Sequence, residues 1–142
     1  MDILPFREAD REEVIRLWER CGLVAPQNDP SEDIDMKLAF QPDLFLIGVA
    51  GGRVVASAMA GYEGHRGWVN YVGVAPEYRR KGYGRAMMEE AERRLVALGC
   101  VKVNLQVRAG NSEVAAFYEA AGYSVEERVS MGKRLRGRGG RT

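Results

Sequence analysis

The stretch Val72-Gly73-Val74-Ala75-Pro76-Glu77-Tyr78-Arg79-Arg80-Lys81-Gly82-Tyr83-Gly84-Arg85 decides the fold, because it reads as strand end, loop and helix start. Trp68 to Val74 is rich in β-branched and aromatic residues. Pro76 cannot donate to a ladder, and Met87, Ala91, Leu95 and Leu98 then follow at helical spacing. The turn between is basic and holds two glycines. Without Cβ atoms, Gly82 and Gly84 let backbone N–H groups approach a ligand, and the helix start adds unpaired donors and a positive dipole end. This combination suits a phosphate. A P-loop would need Gly-Lys followed by Ser or Thr, whereas here Gly84-Arg85-Ala86 offers no hydroxyl for magnesium. A dinucleotide fingerprint would need a third glycine where Met87 stands, and no acidic ribose partner ends the next strand in the expected way. A basic, glycine-rich turn without any ligand is the bland alternative.

Outward from this loop, the flanking segments supply a mixed α/β domain. Asp2 to Arg7 reads as a short edge strand, with Pro5 fitting an edge. Asp10 is placed to cap a helix carrying Val14, Leu17, Trp18 and Cys21 at i, i+3, i+4, i+7, and Gly22 to stop it. Asn28 or Asp29 with Pro30 starts a second helix through Ile34, Lys37 and Leu38, which Pro42 closes. Leu23 to Asp29 is the loop between them, placed to border a substrate pocket. Leu44–Ala50 and Val54–Tyr62 are apolar runs joined by Gly51-Gly52, a strong hairpin signal, and the second run is small or apolar on both faces. The turn Glu63-Gly64-His65-Arg66-Gly67 leads into the Trp68 strand. Past Gly99, Val101, Val103, Leu105 and Val107 alternate with polar residues as a half-exposed strand. Strand, crossover helix and strand form a right-handed unit, so the Trp68 and Val101 strands should be parallel. Asn111 or Ser112 caps a last helix with Val114, Phe117, Tyr118 and Ala121 on one face, and Gly122 ends it. Ser124 to Val129 and a few residues beyond are expected to add final antiparallel strands. The tail from Lys133 is basic and glycine-rich, so residues 1–132 are expected to form a single domain and 133–142 a tail.

Composition narrows the function classes. The 142 residues carry a formal net charge of +1, which predicts neither a nucleic-acid nor a membrane partner from global electrostatics. The tail could suggest RNA contact, but it has no aromatic residue for stacking. Cys21 and Cys100 lie far apart, match no metal spacing and form no disulfide framework, so a reducing cytoplasm and no metal are expected. Asp2, Arg7, Glu8 and Asp10 interrupt any apolar run at the start, so no signal peptide is expected. Nor do about 18 apolar residues follow one another anywhere.

Arg79-x-x-Gly82-x-Gly84, following a Val-x-Val-x-Pro strand end, closely resembles the acetyl-CoA loop of the GNAT superfamily of N-acetyltransferases. A second segment, Asn111 to Glu119 with Gly122-Tyr123, resembles that family's Asn…Tyr-Glu-x-x-Gly-aromatic segment in the expected order. The stretches Leu17 to Cys21, Asn28-Asp29-Pro30 and Gly61 to Gly67 also resemble the YpeA-type subgroup of small bacterial acetyltransferases. The resemblance covers most of the chain. It implies the GNAT fold, a mixed and mostly antiparallel sheet with helices on both faces and a parallel strand pair splayed to hold acetyl-CoA.

It further implies a direct acetyl transfer from acetyl-CoA to a primary amine of a small molecule, amino acid or protein. Backbone N–H groups of Arg80, Lys81, Gly82, Tyr83, Gly84 and Arg85 would bind the pyrophosphate, with added charge from Arg79 and Lys81. Val72 and Val74 would bond the pantetheine arm, and Asn111 would border the cleft, although a plain helix cap is an equal reading. Tyr118 would protonate the departing thiolate. Read from helix spacing alone, Tyr118 is an ordinary packed tyrosine. Several family members carry a glutamate as general base where this chain has Gln106, an amide that cannot accept the proton. Glu63 and His65 are the alternatives, each weighed against a solvated turn residue. Cys100 reads as a small buried thiol rather than an acyl carrier, and Trp18 and Tyr62 read as core before pocket wall. A non-catalytic acyl-CoA-binding domain is the alternative function. The resemblance also allows a homodimer.

Overall fold

Gly51 and Gly52 both take positive φ, 59° and 75°, and with Ala50 paired to Arg53 they close a two-residue hairpin of the kind that matches strand twist. The hairpin joins β2 (Phe45–Ala50) to β3 (Arg53–Tyr62) in the computed structural model, which describes residues 1–136. These residues form two compact units, Met1–Leu105 and the segment from Gln106 onward. The basic tail beyond residue 136 lies outside the described residues.

In the first unit β1 (Asp2–Pro5), β2, β3, β4 (Gly67–Val74) and β5 (Val103–Asn104) form one sheet in that order. The first four are antiparallel neighbours, and β5 runs parallel to β4 as the crossover through α3 (Tyr83–Ala97) requires. Period-two alternation divides the core into two layers. Phe45, Ile47 and Met59 cluster with Val14, Leu17 and Trp18 of α1 (Arg11–Arg20) and Ile34 of α2 (Pro30–Leu38). The opposite face of β3 offers Ala56, Ala58 and Ala60, small enough for α3 to approach with its buried Met87, Met88, Ala91 and Leu95. β3 is thus covered on both faces, as its composition predicts. The mixed sheet with helices on both faces matches the expected fold class.

Most helix ends follow local chemistry. Asp29 caps α2 by accepting from the Glu32 N–H at 3.2 Å, and Gly22 and Gly99 take positive φ beyond α1 and α3. Asp10 stands at the start of α1 but makes no cap; its carboxylate accepts from Arg7 Nε at 2.8 Å instead. An unexpected device continues the sheet where Pro42 has no N–H to give. The Gln41 side-chain amide donates to Tyr62 O and accepts from Tyr62 N–H, both at 2.8 Å, in place of a strand partner.

Two expected strands are corrected. The alternating run from Val101 pairs only at Gly67↔Val103 and Trp68↔Asn104, and Val101 is exposed. Alternation alone does not supply a partner strand, and the ladder with β4 stops at Trp68, ahead of an irregularity in β4 described below. In the second unit α4 (Ser112–Ala120) is capped by Asn111 Oδ1, which accepts from Val114 N–H at 3.2 Å, and Gly122 follows it at φ 99°. Ser124 to Val129 and the described residues beyond form no strand. Val125, Val129, Met131 and Leu135 are exposed, so that alternation buries no face and lacks what holds a strand. No helix among the described residues is long and apolar enough to cross a membrane.

Candidate functional site

The site in the first unit begins at a fault in β4. Gly67 N–H donates toward β5, to Lys102 O at 2.9 Å, whereas Ala75 N–H donates toward β3, to Val55 O at 2.8 Å. In an unbroken strand two residues eight apart would point the same way. The register shift between Ser57 and Met59 accounts for the reversal, because β4 carries an extra residue there. Tyr71 sits in that bulge at φ 50°, a conformation that costs a bulky L-residue about 1–3 kcal/mol. Beyond the bulge, the backbone groups of Val72 and Val74 alternate away from β3. They face an edge where the β5 ladder has already stopped.

The same fault swaps side-chain faces. A Cβ on Gly67 would meet Cys100 and Leu95 on the α3 side, but one on Gly73 would meet Cys21 and Leu23 on the α1 side. Cys100 is accordingly a buried thiol whose Sγ lies 3.3 Å from Lys102 O, and Trp18 is core.

From the end of β4 the chain enters a short 3-10 turn, Pro76–Tyr78, and then the basic loop. Arg79 turns back so that its Nε donates to Val74 O at 3.1 Å, which ties the loop to the strand. Arg80 takes φ 65° and Gly82 φ 78°, two left-handed residues that turn the chain sharply into α3. No side chain caps α3, and its first turn contains no acid, whereas α1, α2 and α4 each carry acids there. The first-turn N–H groups of Tyr83, Gly84 and Arg85 therefore remain available to an anion, next to Arg80, Lys81 and Arg85 side chains exposed to solvent. Glu77, the one acid of the loop, is engaged by a two-pronged ion pair from Arg20 of α1, which holds its carboxyl below the usual range. Tyr78 and Tyr83 stack with ring centres 6.1 Å apart across the turn.

In the turn before β4, Glu63 and His65 are placed differently. The Glu63 carboxylate accepts the backbone N–H groups of Arg66 and His65, which holds it below its ordinary value and makes it a clamp for its own turn. His65 is exposed there. Tyr62 directs its hydroxyl to Gly64 O at 3.1 Å.

In the second unit Tyr118 packs edge-on against Phe117 and Tyr123, with ring centres 5.0 and 5.8 Å away. Partial burial pushes its phenol above the ordinary value, and like any tyrosine it is protonated at neutral pH. Its hydroxyl has no hydrogen-bond partner among the described residues. Asn111 is the α4 cap, and the Gln106 amide donates to the Ser130 hydroxyl. Val72, Val74 and residues 79–85 thus form one continuous edge and loop in the first unit, while Tyr118 and Asn111 belong to the second. The Tyr71 bulge has no local sequence signal, because Trp68 to Val72 contains no glycine or proline to mark one. No group of three or more metal-ligating side chains occurs among the described residues.

A model of the acetyltransferase (GNAT) family matches residues 11–123. An acetyltransferase of Sodalis glossinidius is 49% identical over 136 residues, covering 95% of this chain and 96% of the relative. Among solved structures, Ard1 from Thermoplasma volcanium matches with a TM-score of 0.79 at 23% identity, over 88% of this chain and 83% of its own. A PaiA N-acetyltransferase from Thermoplasma acidophilum, in complex with coenzyme A, matches with a TM-score of 0.78 at 19% identity, over 90% and 92% of the two chains.

Proposed function

Because the chain belongs to the GNAT acetyltransferase family, we propose that it moves the acetyl group of acetyl-CoA directly to a primary amine. The observation that carries this reading is the open edge of β4 running into an uncapped, acid-free and basic helix start. The Val72 groups and the Val74 N–H on this edge have no strand partner among the described residues and suit the amides of a pantetheine arm, the Val74 carbonyl being taken by Arg79 and Cys21, and the loop suits the pyrophosphate that follows it. The coenzyme A complex of the PaiA enzyme supports the same cosubstrate. The family match spans both units, which supports treating residues 1–132 as one acetyltransferase domain. The free thiols Cys21 and Cys100 agree with a cytoplasmic setting.

In the proposed step the acceptor nitrogen, having released a proton to water, attacks the thioester carbon. A tetrahedral oxyanion forms, for which the Val72 N–H is the candidate donor. Its collapse breaks the C–S bond: the thiolate takes the Tyr118 proton, and the attacking nitrogen gives its second proton to water, from which the Tyr118 phenolate is reprotonated. A phenol is protonated at neutral pH, as a general acid must be, while its partial burial raises its pKa and makes the proton harder to give. Asn111, already used as a cap, is assigned to the cleft border by resemblance only.

Gln106 favours a second reading, an acyl-CoA-binding domain without turnover, because its amide cannot take a proton. A thiol-release assay separates the two. With acetyl-CoA and a panel of small amines, amino acids and short peptides, free CoA should appear in a one-to-one ratio with acetylated amine for at least one class. Binding of acetyl-CoA without product in any class would leave the binding domain as the function.

A further inference from the structure

Tyr71 and Val72 share one peptide unit, so whatever fixes the Tyr71 carbonyl also fixes the Val72 N–H. In a trans peptide the two point in opposite directions. The Tyr71 carbonyl leaves the ladder at the bulge and is caught by the Ser57 hydroxyl, which donates to it at 2.7 Å. The Ser57 oxygen in turn accepts the Trp18 indole N–H at 2.9 Å. Ser57 and Trp18 are both 0% exposed, so no water competes with either bond. A hydroxyl has one proton, and the indole occupying its lone pair leaves that proton to Tyr71.

The rest of Tyr71 is held as firmly. Its ring stacks on Trp18 with centres 3.8 Å apart, and its hydroxyl donates to Asp33 Oδ2 on α2 at 2.6 Å. Burial, and then the Asp33 carboxylate, push the phenol upward, so the donor stays protonated. Carbonyl, ring and hydroxyl are thus each tied to a different element: β3, α1 and α2. A left-handed tyrosine persists only where its surroundings over-determine it.

We propose that Ser57, oriented by Trp18, is a positioning residue that aims the Val72 N–H at the open edge of β4, where the thioester carbonyl is polarised. The inference rests on the acetyl-transfer reading and adds to it a pair of side chains that touch neither cosubstrate nor acceptor. Ser57→Ala removes the donor to Tyr71 and leaves the peptide free to tilt. Removing an oxyanion donor outright costs roughly a hundred- to a thousandfold in kcat, so a misaimed one should cost about tenfold.

The test uses the full chain labelled with nitrogen-15, acetyl-CoA and free CoA as the two probes, and the best acceptor from the amine panel. In the natural protein the Val72 amide proton should differ between the acetyl-CoA and CoA complexes, because only the former offers a carbonyl. In Ser57→Ala that difference should collapse, kcat should fall about tenfold, and the Kd for acetyl-CoA should stay within about twofold. A retained difference with unchanged kcat would overturn the relay and leave acetyl transfer intact. A natural protein that bound no acetyl-CoA would overturn the acetyl-transfer reading, and the relay with it. Should Ser57→Ala fail to fold, Trp18→Phe removes the indole N–H while keeping a ring against Tyr71. It should reduce the amide difference in part, and no reduction would count against the relay equally.

Discussion

Gly82→Val weakens acetyl-CoA binding by about tenfold or more while leaving the chain folded. A Cβ at Gly82 meets nothing within 4 Å, so no clash drives the effect. The cause is the backbone, since φ 78° is a conformation that a β-branched residue enters only at a cost of about 1–3 kcal/mol. Relaxing that strain rotates the peptide that opens α3 and misaligns donors whose value depends on direction. A cost of 1.4 kcal/mol corresponds to about tenfold in affinity. Gly99→Val is the matched control, with φ 95° and equally open space at the far end of the same helix. Both variants should lose similar stability, and only Gly82→Val should lose acetyl-CoA. Equal retention of acetyl-CoA by the two would remove the loop from the binding site.

Tyr118→Phe divides the account differently. Losing the hydroxyl leaves the contacts with Phe117 and Tyr123 in place and orphans no described partner, so the fold should be unaffected. General acid catalysis contributes roughly a hundred- to ten-thousandfold, and kcat should fall by about a hundredfold with the Kd for acetyl-CoA within about twofold. Turnover equal to that of the natural protein would exclude Tyr118 from the mechanism and restore it to ordinary packing.

What could be read in advance depended on whether the signal was local. The Gly51-Gly52 hairpin, the glycine stops after α1, α3 and α4, the Asp29 and Asn111 caps and the parallel β4–β5 pair all follow from rules acting within a few residues or on chain handedness. The strand expected from Val101 onward and the one expected at Ser124 failed for a common reason. Alternation reports which side chains could face a core, not whether a partner strand lies alongside. The basic loop was legible because glycine spacing and charge are sequence properties. The bulge at Tyr71 was not, since a tyrosine gives no hint of positive φ. The groups that hold it, Trp18, Asp33 and Ser57, come from three separate segments. The proton-transfer candidates divide along the same line. Glu63 holds its own turn with its carboxylate, whereas Tyr118 owes its assignment to family resemblance and gains from the structure only a half-buried phenol.

The central claim, that the β4 edge and the loop before α3 hold acetyl-CoA, is tested most directly by a thermal melt with acetyl-CoA, using free CoA and ATP as comparisons. Ligand at 100 times its Kd adds about 2.7 kcal/mol, which raises the melting temperature of a domain of this size by several degrees. Such a shift with acetyl-CoA, and little with ATP, is the predicted result. No shift with acetyl-CoA at millimolar concentration, or a shift with ATP as large, would contradict the assignment.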